Sequence, residues 1–334
     1  MMMSKRRCVS VSTLNFAAAA LHCVQAIVAF ALVAWLEAKP RSAGTLFDGG
    51  HFTLVRMVWH ETTSVVNKTA TTTTTTSLES VVVESGSINA LYVIVAFFAL
   101  SAVFQCAGGL LSDTAAMARL RFIEYSFSAS IMMLVIALES GIRDLYTLQC
   151  MFVLTWATQM FGLLADTISD YSSSSLQQPQ AEAWLWLLPH VAGWATCMSA
   201  YGPAIDMFFQ SVSHSERRPP SFVTALIFAE LVMFSCFGLV QTYGLTYKTL
   251  LSLGYLSYYT EEAEAAEDDD DELQHGYFVS NSTSVDLQRR RPTKSLDDRI
   301  HEVNTTCEYA FIMLSLVAKT LLGWIVLSPL ITSR

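Results

Sequence analysis

Long apolar runs separated by polar segments organise this chain. Seven runs approach the roughly 20 residues that a helix needs to cross the hydrocarbon core of a bilayer. They span about residues 14–36, 88–111, 119–139, 146–165, 184–210, 221–247 and 308–331. Arg119, Arg121 and Glu124 interrupt the start of the third run. The pattern predicts an all-α membrane protein with seven transmembrane helices in one rhodopsin-like domain.

Two connecting segments are unusually long. Residues 37–87 contain stretches rich in β-prone residues, such as 52–59 and 81–83, which predict a small β-hairpin. Residues 248–307 contain the acidic run 261–272, and blocks of like charge usually stay disordered. We therefore expect a charged, partly disordered loop there.

Composition agrees with a membrane protein and narrows the function classes. Hydrophobic residues make up 52% of the chain and charged residues only 15%, whereas a soluble domain of this size would carry more charge. The net charge of −9 comes largely from the acidic run, so it describes a loop and predicts no nucleic-acid partner. The cysteines show no metal-ligand spacing, and the sequence contains no GxSxG, HExxH or P-loop motif. We expect neither an enzyme nor a metal site.

The charge around the first run predicts the orientation. Lys5, Arg6 and Arg7 precede this run, and a basic flank before the first span usually stays inside. Seven spans then leave the N-terminus cytoplasmic and the C-terminus extracellular, with the first long loop outside. In this orientation Asn67, in the sequon Asn67-Lys68-Thr69, is the glycosylation candidate. The opposite orientation would favour the sequons at Asn281 and Asn304.

Lys319 is the most unusual residue of the apolar runs. It lies near the middle of the last run, too deep for its amine to reach either membrane surface. It could pair with a carboxylate for structure alone. It could equally form a Schiff base with an aldehyde, because burial favours the reactive neutral amine. Position alone favours neither interpretation.

Glu124 in the third run is the candidate partner of Lys319, since a protonated imine in a low dielectric needs a nearby anion. Ser128 follows Glu124 by one helical turn, and Ser315 precedes Lys319 by the same interval. Their hydroxyls could bond the imine or the carboxylate. For each serine alone, backbone bonding or close helix packing is the better explanation.

Further ionisable residues lie within the runs, including His22, His190, Asp206 and Glu230. His22 could exchange a proton near neutral pH or simply hydrogen-bond a neighbouring helix. Glu230 could be a proton site or face a hydrated pocket. The aromatic residues of the fifth and sixth runs do not by themselves indicate a ligand pocket, because membrane interfaces are rich in aromatics.

Three segments together resemble the heliorhodopsins: LNFAAAALHCVQ in the first run, RFIEYSFSAS in the third and LSLVAKTLLGW in the seventh. The resemblance covers all seven runs. It implies covalently bound all-trans retinal, an inverted topology with a cytoplasmic N-terminus, a homodimer in the lipid bilayer and a β-rich first extracellular loop.

The resemblance also assigns roles to residues. It implies that Lys319 binds retinal, that Glu124 is the counterion, and that Ser315 lies close to the imine. His22 would belong to a polar cavity on the cytoplasmic side. The remaining residues that it implies for the retinal pocket are Met160, Phe234, Phe237 and Gln241.

One position departs from the family pattern. The family often has a second cavity histidine in the second run, where this chain has Gln105 in LSAVFQCAG. A glutamine cannot accept a proton at physiological pH, so a released imine proton must go to His22, to water or back to Glu124.

The leading functional hypothesis is a photosensory receptor with retinal photoisomerisation, a slow photocycle and an unknown cytoplasmic signalling partner. The alternative is a light-activated proton channel or transporter, as some heliorhodopsins pass protons, with Glu230 as a candidate on the path. A ligand-activated receptor coupled to G proteins is not favoured, because the sequence lacks DRY-type and NPxxY motifs.

Overall fold

The computed structural model describes residues 10–38, 51–68, 71–174, 184–214, 221–253 and 296–332. These residues form seven helices and one two-stranded antiparallel sheet. The elements are α1 (Val11–Glu37), β1 (His51–Lys68), β2 (Thr71–Asn89), α2 (Ala90–Leu110), α3 (Thr114–Glu139), α4 (Leu145–Ser174), α5 (Leu187–His214), α6 (Ser221–Ser252) and α7 (Leu296–Thr332). The predicted mostly helical fold with a β-hairpin is confirmed.

Six of the helices in the described residues are long and apolar enough to cross a membrane. The exception is α5, which has 28 residues but carries polar side chains such as His190 and Asp206. It also contains Pro203, which membrane helices tolerate when neighbouring groups satisfy the freed carbonyl.

Local sequence explains where several helices begin and end. The Asn89 side chain accepts a hydrogen bond from the Leu91 amide and so caps the start of α2. Asp113 caps α3 in the same way, by accepting from Ala115 and Ala116. Gly141, at φ +102°, ends α3 in a backbone conformation that residues with a Cβ rarely adopt.

The loop predicted at 248–307 is wrong at both ends. Residues 248–252 belong to α6, and residues 296–307 form the first turns of α7. Likewise, α4 continues to Ser174, nine residues past the predicted end at 165. Hydropathy locates only the apolar part of a helix, and these ends are polar. The acidic run and Asn281 lie outside the described residues.

The hairpin is longer than expected, with strands of 18 and 19 residues. Its base is fixed to the bundle, because Phe52 and Leu54 are buried and the Val55 amide donates to the Arg143 carbonyl oxygen at 3.0 Å. The Arg143 guanidinium also lies over the Phe52 ring, 4.3 Å from its centroid. The hairpin therefore stands at the end of the bundle where α3 meets α4.

The first two helices are antiparallel neighbours. The Ser12 hydroxyl donates to the Gly109 carbonyl at one end, and the Tyr92 hydroxyl donates to Glu37 at the other. The second contact lies at the end that carries the hairpin, called here the hairpin end. The opposite end carries the starts of α3 and α7 and the ends of α4 and α6.

Candidate functional site

The amine of Lys319 on α7 forms an ion pair with the carboxylate of Glu124 on α3. Both side chains are almost fully buried, with Lys319 2% and Glu124 3% exposed. The aromatic rings of Phe97 and Tyr125 flank the amine, with centroids 5.8 Å and 5.4 Å from Nζ. The structure thus brings together the two charged residues that the sequence paired.

A cavity opens beside this ion pair, between α3, α4, α6 and α7. It encloses about 380 Å³ of space that is not filled by protein atoms, counting its open mouth. We call it the lysine compartment. Its lining residues are Tyr125, Ser128, Ala129, Met132, Gln159, Glu230, Met233, Phe234, Phe237, Ser315, Ala318 and Lys319.

Aromatic contacts hold the wall of the lysine compartment. The Tyr125 hydroxyl donates to the Phe311 carbonyl at 3.0 Å, so its phenol is fixed across α3 and α7. The Phe237 ring packs edge-on against Tyr125, with centroids 5.3 Å apart, and stacks on Phe311 at 6.2 Å. This part of the wall is therefore apolar, and its rings are held between α3, α6 and α7 beside the buried amine.

Several polar groups of this wall have no hydrogen-bond partner among the described residues. They include the Ser128 hydroxyl and both carboxylate oxygens of Glu230. Glu230 is 0% exposed, so water at the protein surface does not satisfy it. Buried polar groups normally have partners, and such orphans therefore suggest that a bound group belongs here.

A second cavity lies next to the first, between α4, α5 and α6, and we call it the distal compartment. It shares the lining residues Gln159 and Phe234 with the lysine compartment. Its other lining residues are Thr158, Gly162, His190, Gly193, Trp194, Cys197, Gly238 and Gln241. The two compartments are therefore adjacent, and the Lys319 amine lines the first of them. Together their linings suit an elongated, mostly apolar ligand that reacts with an amine.

Polar side chains connect the ion pair to α1 and α2. Gln105 Nε2 donates to Glu124 Oε2 at 3.4 Å. Further along, His22 Nδ1 donates to Gln25 Oε1 and Gln25 Nε2 donates to Thr320 Oγ1, each at 2.9 Å. Since Thr320 follows Lys319 in the chain, this hydrogen-bonded series ends beside the amine. His22 itself is fully buried.

The opposite end of the bundle carries additional ion pairs. Arg121, one turn before Glu124, pairs with Glu308 on α7 and lies over the Phe311 ring, 4.0 Å from its centroid. Lys248 on α6 pairs with Asp166 at 3.1 Å and Asp170 at 2.7 Å, both on α4. These ionic contacts tie α3 to α7 and α4 to α6 at that end.

Most of the residues predicted for the site surround the compartments. Ser128, Ser315, Phe234 and Phe237 line the lysine compartment. Gln241 lies in the distal compartment, where its Nε2 donates to the Gly162 carbonyl at 2.8 Å.

Other implied residues lie apart from the amine. Met160 lines neither compartment, whereas its neighbour Gln159 lines both. Asn67 lies on β1, far along the hairpin from its base.

Sequence reasoning missed Gln159, Tyr125 and the partner of Arg121. Gln159 and Tyr125 carry no charge, and hydropathy does not tell which face of a span points inward. Glu308 is the first residue of the predicted seventh run, and hydropathy does not show that it pairs with Arg121 on α3. The signal for Tyr125 was its position immediately after Glu124.

A comparison with protein-family models matches residues 11–262 to the family described as Heliorhodopsin. The match covers well over half of the chain, including Glu124 on α3 and Glu230 on α6, and it ends before α7 begins. A comparison with curated proteins finds no match.

Proposed function

Because the chain belongs to the heliorhodopsin family, whose members are rhodopsin-like, light-sensing retinal proteins of the membrane, we propose that Lys319 binds all-trans retinal covalently and that Glu124 is the counterion. The protein would act as a photosensory receptor and not as an enzyme. The observation that carries the proposal is the buried Lys319–Glu124 ion pair, whose lysine lines a mostly apolar cavity.

The covalent bond would form as the Lys319 nitrogen attacks the aldehyde carbon, with loss of one water molecule. The nitrogen keeps one positive charge when the imine is protonated. The Glu124 carboxylate, already paired with Nζ, would then neutralise this charge in a low-dielectric site. Lys319 and Glu124 would therefore stay paired before and after the bond forms.

The compartments would determine how the chromophore lies. Phe237 and Tyr125 would contact it near the lysine, and Phe234 would contact it where the two compartments join. Bound retinal would supply light absorption and isomerisation, which drive a slow photocycle. The protein side chains would supply the counterion, the rigid wall and the exclusion of water.

A proton that leaves the site would have two nearby acceptors. Glu124 is the first, since it contacts Nζ directly. His22 is the second, because hydrogen bonds through Gln25 and Thr320 hold it against α7, and water would carry the proton to it. The His22 Nε2 atom has no hydrogen-bond partner among the described residues, which leaves a position for a proton or a water molecule. Gln105 holds Glu124 in place but takes no proton itself.

We place the N-terminus in the cytoplasm and the C-terminus outside, from the basic residues that precede α1. The ion pairs of Lys248 and Arg121 then lie near the cytoplasmic surface, where a change at Glu124 could reach an unidentified signalling partner. The hairpin would be extracellular. It exposes Met57 (66%) and Val82 (61%), which pair across its strands and could contact a second copy in a homodimer.

Reconstitution with all-trans retinal tests the proposal. The wild-type protein should gain a visible absorption band, and Lys319→Ala should gain none. Lys248→Met is the matched control, because it removes another buried lysine that lines neither compartment. A visible band in Lys319→Ala, or none in the folded wild type, would overturn the proposal.

Light-driven proton translocation is the second candidate, and Glu230 is the observation that favours it. This carboxylate shares the lysine compartment with Lys319 but lies on α6, whereas Glu124 lies on α3. Two carboxylates on different sides of one amine could accept and deliver a proton in different directions. Voltage-clamp recording under light separates the functions, since a receptor gives no sustained photocurrent. A sustained current that reverses with the proton gradient and disappears in Glu230→Gln would establish translocation.

A further inference from the structure

A tryptophan and a histidine on α5 form one wall of the distal compartment. The Trp194 indole N–H donates to His190 Nε2 at 3.2 Å, and the Thr242 hydroxyl of α6 lies 2.8 Å from the same nitrogen. An indole N–H can only donate, so His190 Nε2 is an acceptor here. The histidine is therefore the neutral form, with its proton on Nδ1.

The position of Trp194 depends on a glycine of α6. A Cβ added to Gly238 would overlap the Trp194 ring, so the indole occupies the space that a side chain would fill. Trp194 is thus held between the α6 backbone on one side and the His190 acceptor on the other.

This wall is continuous with the site of the chromophore. Phe234 lines both compartments, and Trp194 and His190 line the distal one. A chromophore attached to Lys319 that fills both compartments would place its far end beside Trp194. This step rests on the proposed function.

We propose that His190 is a positioning residue for the chromophore, which in its neutral form holds Trp194 against Gly238. When His190 takes up a second proton, Nε2 becomes a donor and can no longer accept from the indole. Two N–H groups would then face each other, and Trp194 must shift. The absorption of the protein would change with the charge of His190.

The direction of the change follows from electrostatics. Excitation of a protonated imine moves positive charge away from the nitrogen and towards the far end of the conjugated chain. A cation at His190 would repel that charge and raise the energy of the excited state more than that of the ground state. Protonation of His190 should therefore shift the band to shorter wavelength.

Few other groups can titrate around His190. Among the described residues of the distal compartment, Cys197 on α5 is the other titratable side chain. The residues of α4 in this wall are Thr158, Gln159 and Gly162, and those of α6 are Phe234, Gly238 and Gln241. Thr242, also on α6, does not titrate. Protonation of the counterion Glu124 would shift the band to longer wavelength, so the sign separates it from His190.

The test is an absorption titration of the retinal-bound protein from about pH 8 to about pH 4, which brackets the ordinary histidine pKa of about 6.5. The wild type should show a shift to shorter wavelength that follows the uptake of one proton. His190→Gln keeps an acceptor for Trp194 but removes the group that titrates, so the acid shift should be lost whatever the position of its band at the alkaline end. His51→Gln, on the exposed start of β1, is the matched control and should keep the shift.

Absence of the acid shift in the wild type would overturn the assignment, as would its survival in His190→Gln. If His190→Gln does not fold, His190→Asn provides the same comparison. A wild-type protein that forms no visible band would instead refute the proposed function. A normal band without the acid shift refutes only the role of His190.

Discussion

Glu124 and Lys319 lie 195 residues apart in the chain and form a buried ion pair between α3 and α7. Removing one partner of such a pair leaves the other charge buried and unpaired, typically at a cost of about 3–5 kcal/mol. The pair therefore fixes the two helices against each other. It also places an anion where a protonated imine would need one.

Replacing Glu124 with Gln tests the counterion. The ground state of the protonated imine loses its anion, so the visible band should shift to longer wavelength. The imine should also release its proton in less alkaline solution than in the wild type. An absorption spectrum and a pH titration of the retinal-bound variant measure both effects.

Glu124→Asp is the matched variant, because it keeps the negative charge and moves it by one methylene. Its band should remain closer to the wild-type position than that of Glu124→Gln. An unshifted Glu124→Gln band would mean that another carboxylate balances the imine. Glu230 would then be the next residue to replace, since it lines the same compartment.

Close packing of α7 against α2 gives a stability prediction. A Cβ at Gly323 would overlap the Phe98 ring, and Phe98 is 0% exposed. Gly323→Ala should destabilise the protein by about 1–3 kcal/mol, the usual penalty for overpacking a core. Thermal unfolding in detergent, followed by circular dichroism, measures this. Gly202→Ala, on α5, has no atom within 4 Å of its added Cβ and should be neutral or slightly stabilising. Equal effects of the two changes would contradict the packing described.

Glycan mapping after expression in a eukaryotic membrane tests the orientation. With a cytoplasmic N-terminus, the hairpin faces the compartment where glycans are added, and Asn67 should be modified. Treatment with a glycan-removing amidase should lower the apparent mass of the wild type and leave that of Asn67→Gln unchanged. A glycan on Asn281 would instead require the opposite orientation.

The sequence predicted much of the helical bundle because apolar runs of membrane length have few alternatives to a spanning helix. It failed where polar residues continue a helix beyond its apolar part. Asp170 near the end of α4 and Lys248 near the end of α6 are charged, but the two side chains neutralise each other in an ion pair. Pairing across helices cannot be deduced from one segment alone.

The sequence predicted the charged residues of the candidate site but not its neutral ones. Lys319 and Glu124 stood out because charges are rare within membrane spans. Gln159 and Trp194 did not, because neutral polar and aromatic residues are common in such helices. Gln159 and Trp194 line the site only because α4, α5 and α6 pack so that these side chains lie beside Gly238 and Phe234. One sequence does not give that packing.

The most direct test of the retinal assignment is chemical trapping of the attachment site. The retinal-bound protein is treated with borohydride, which reduces the imine to a stable amine, and is then digested and examined by mass spectrometry. A retinyl group is expected on the peptide that contains Lys319, and none is expected on the peptide that contains Lys248. A retinyl group on another lysine, or an unmodified Lys319 peptide from fully coloured protein, would contradict it.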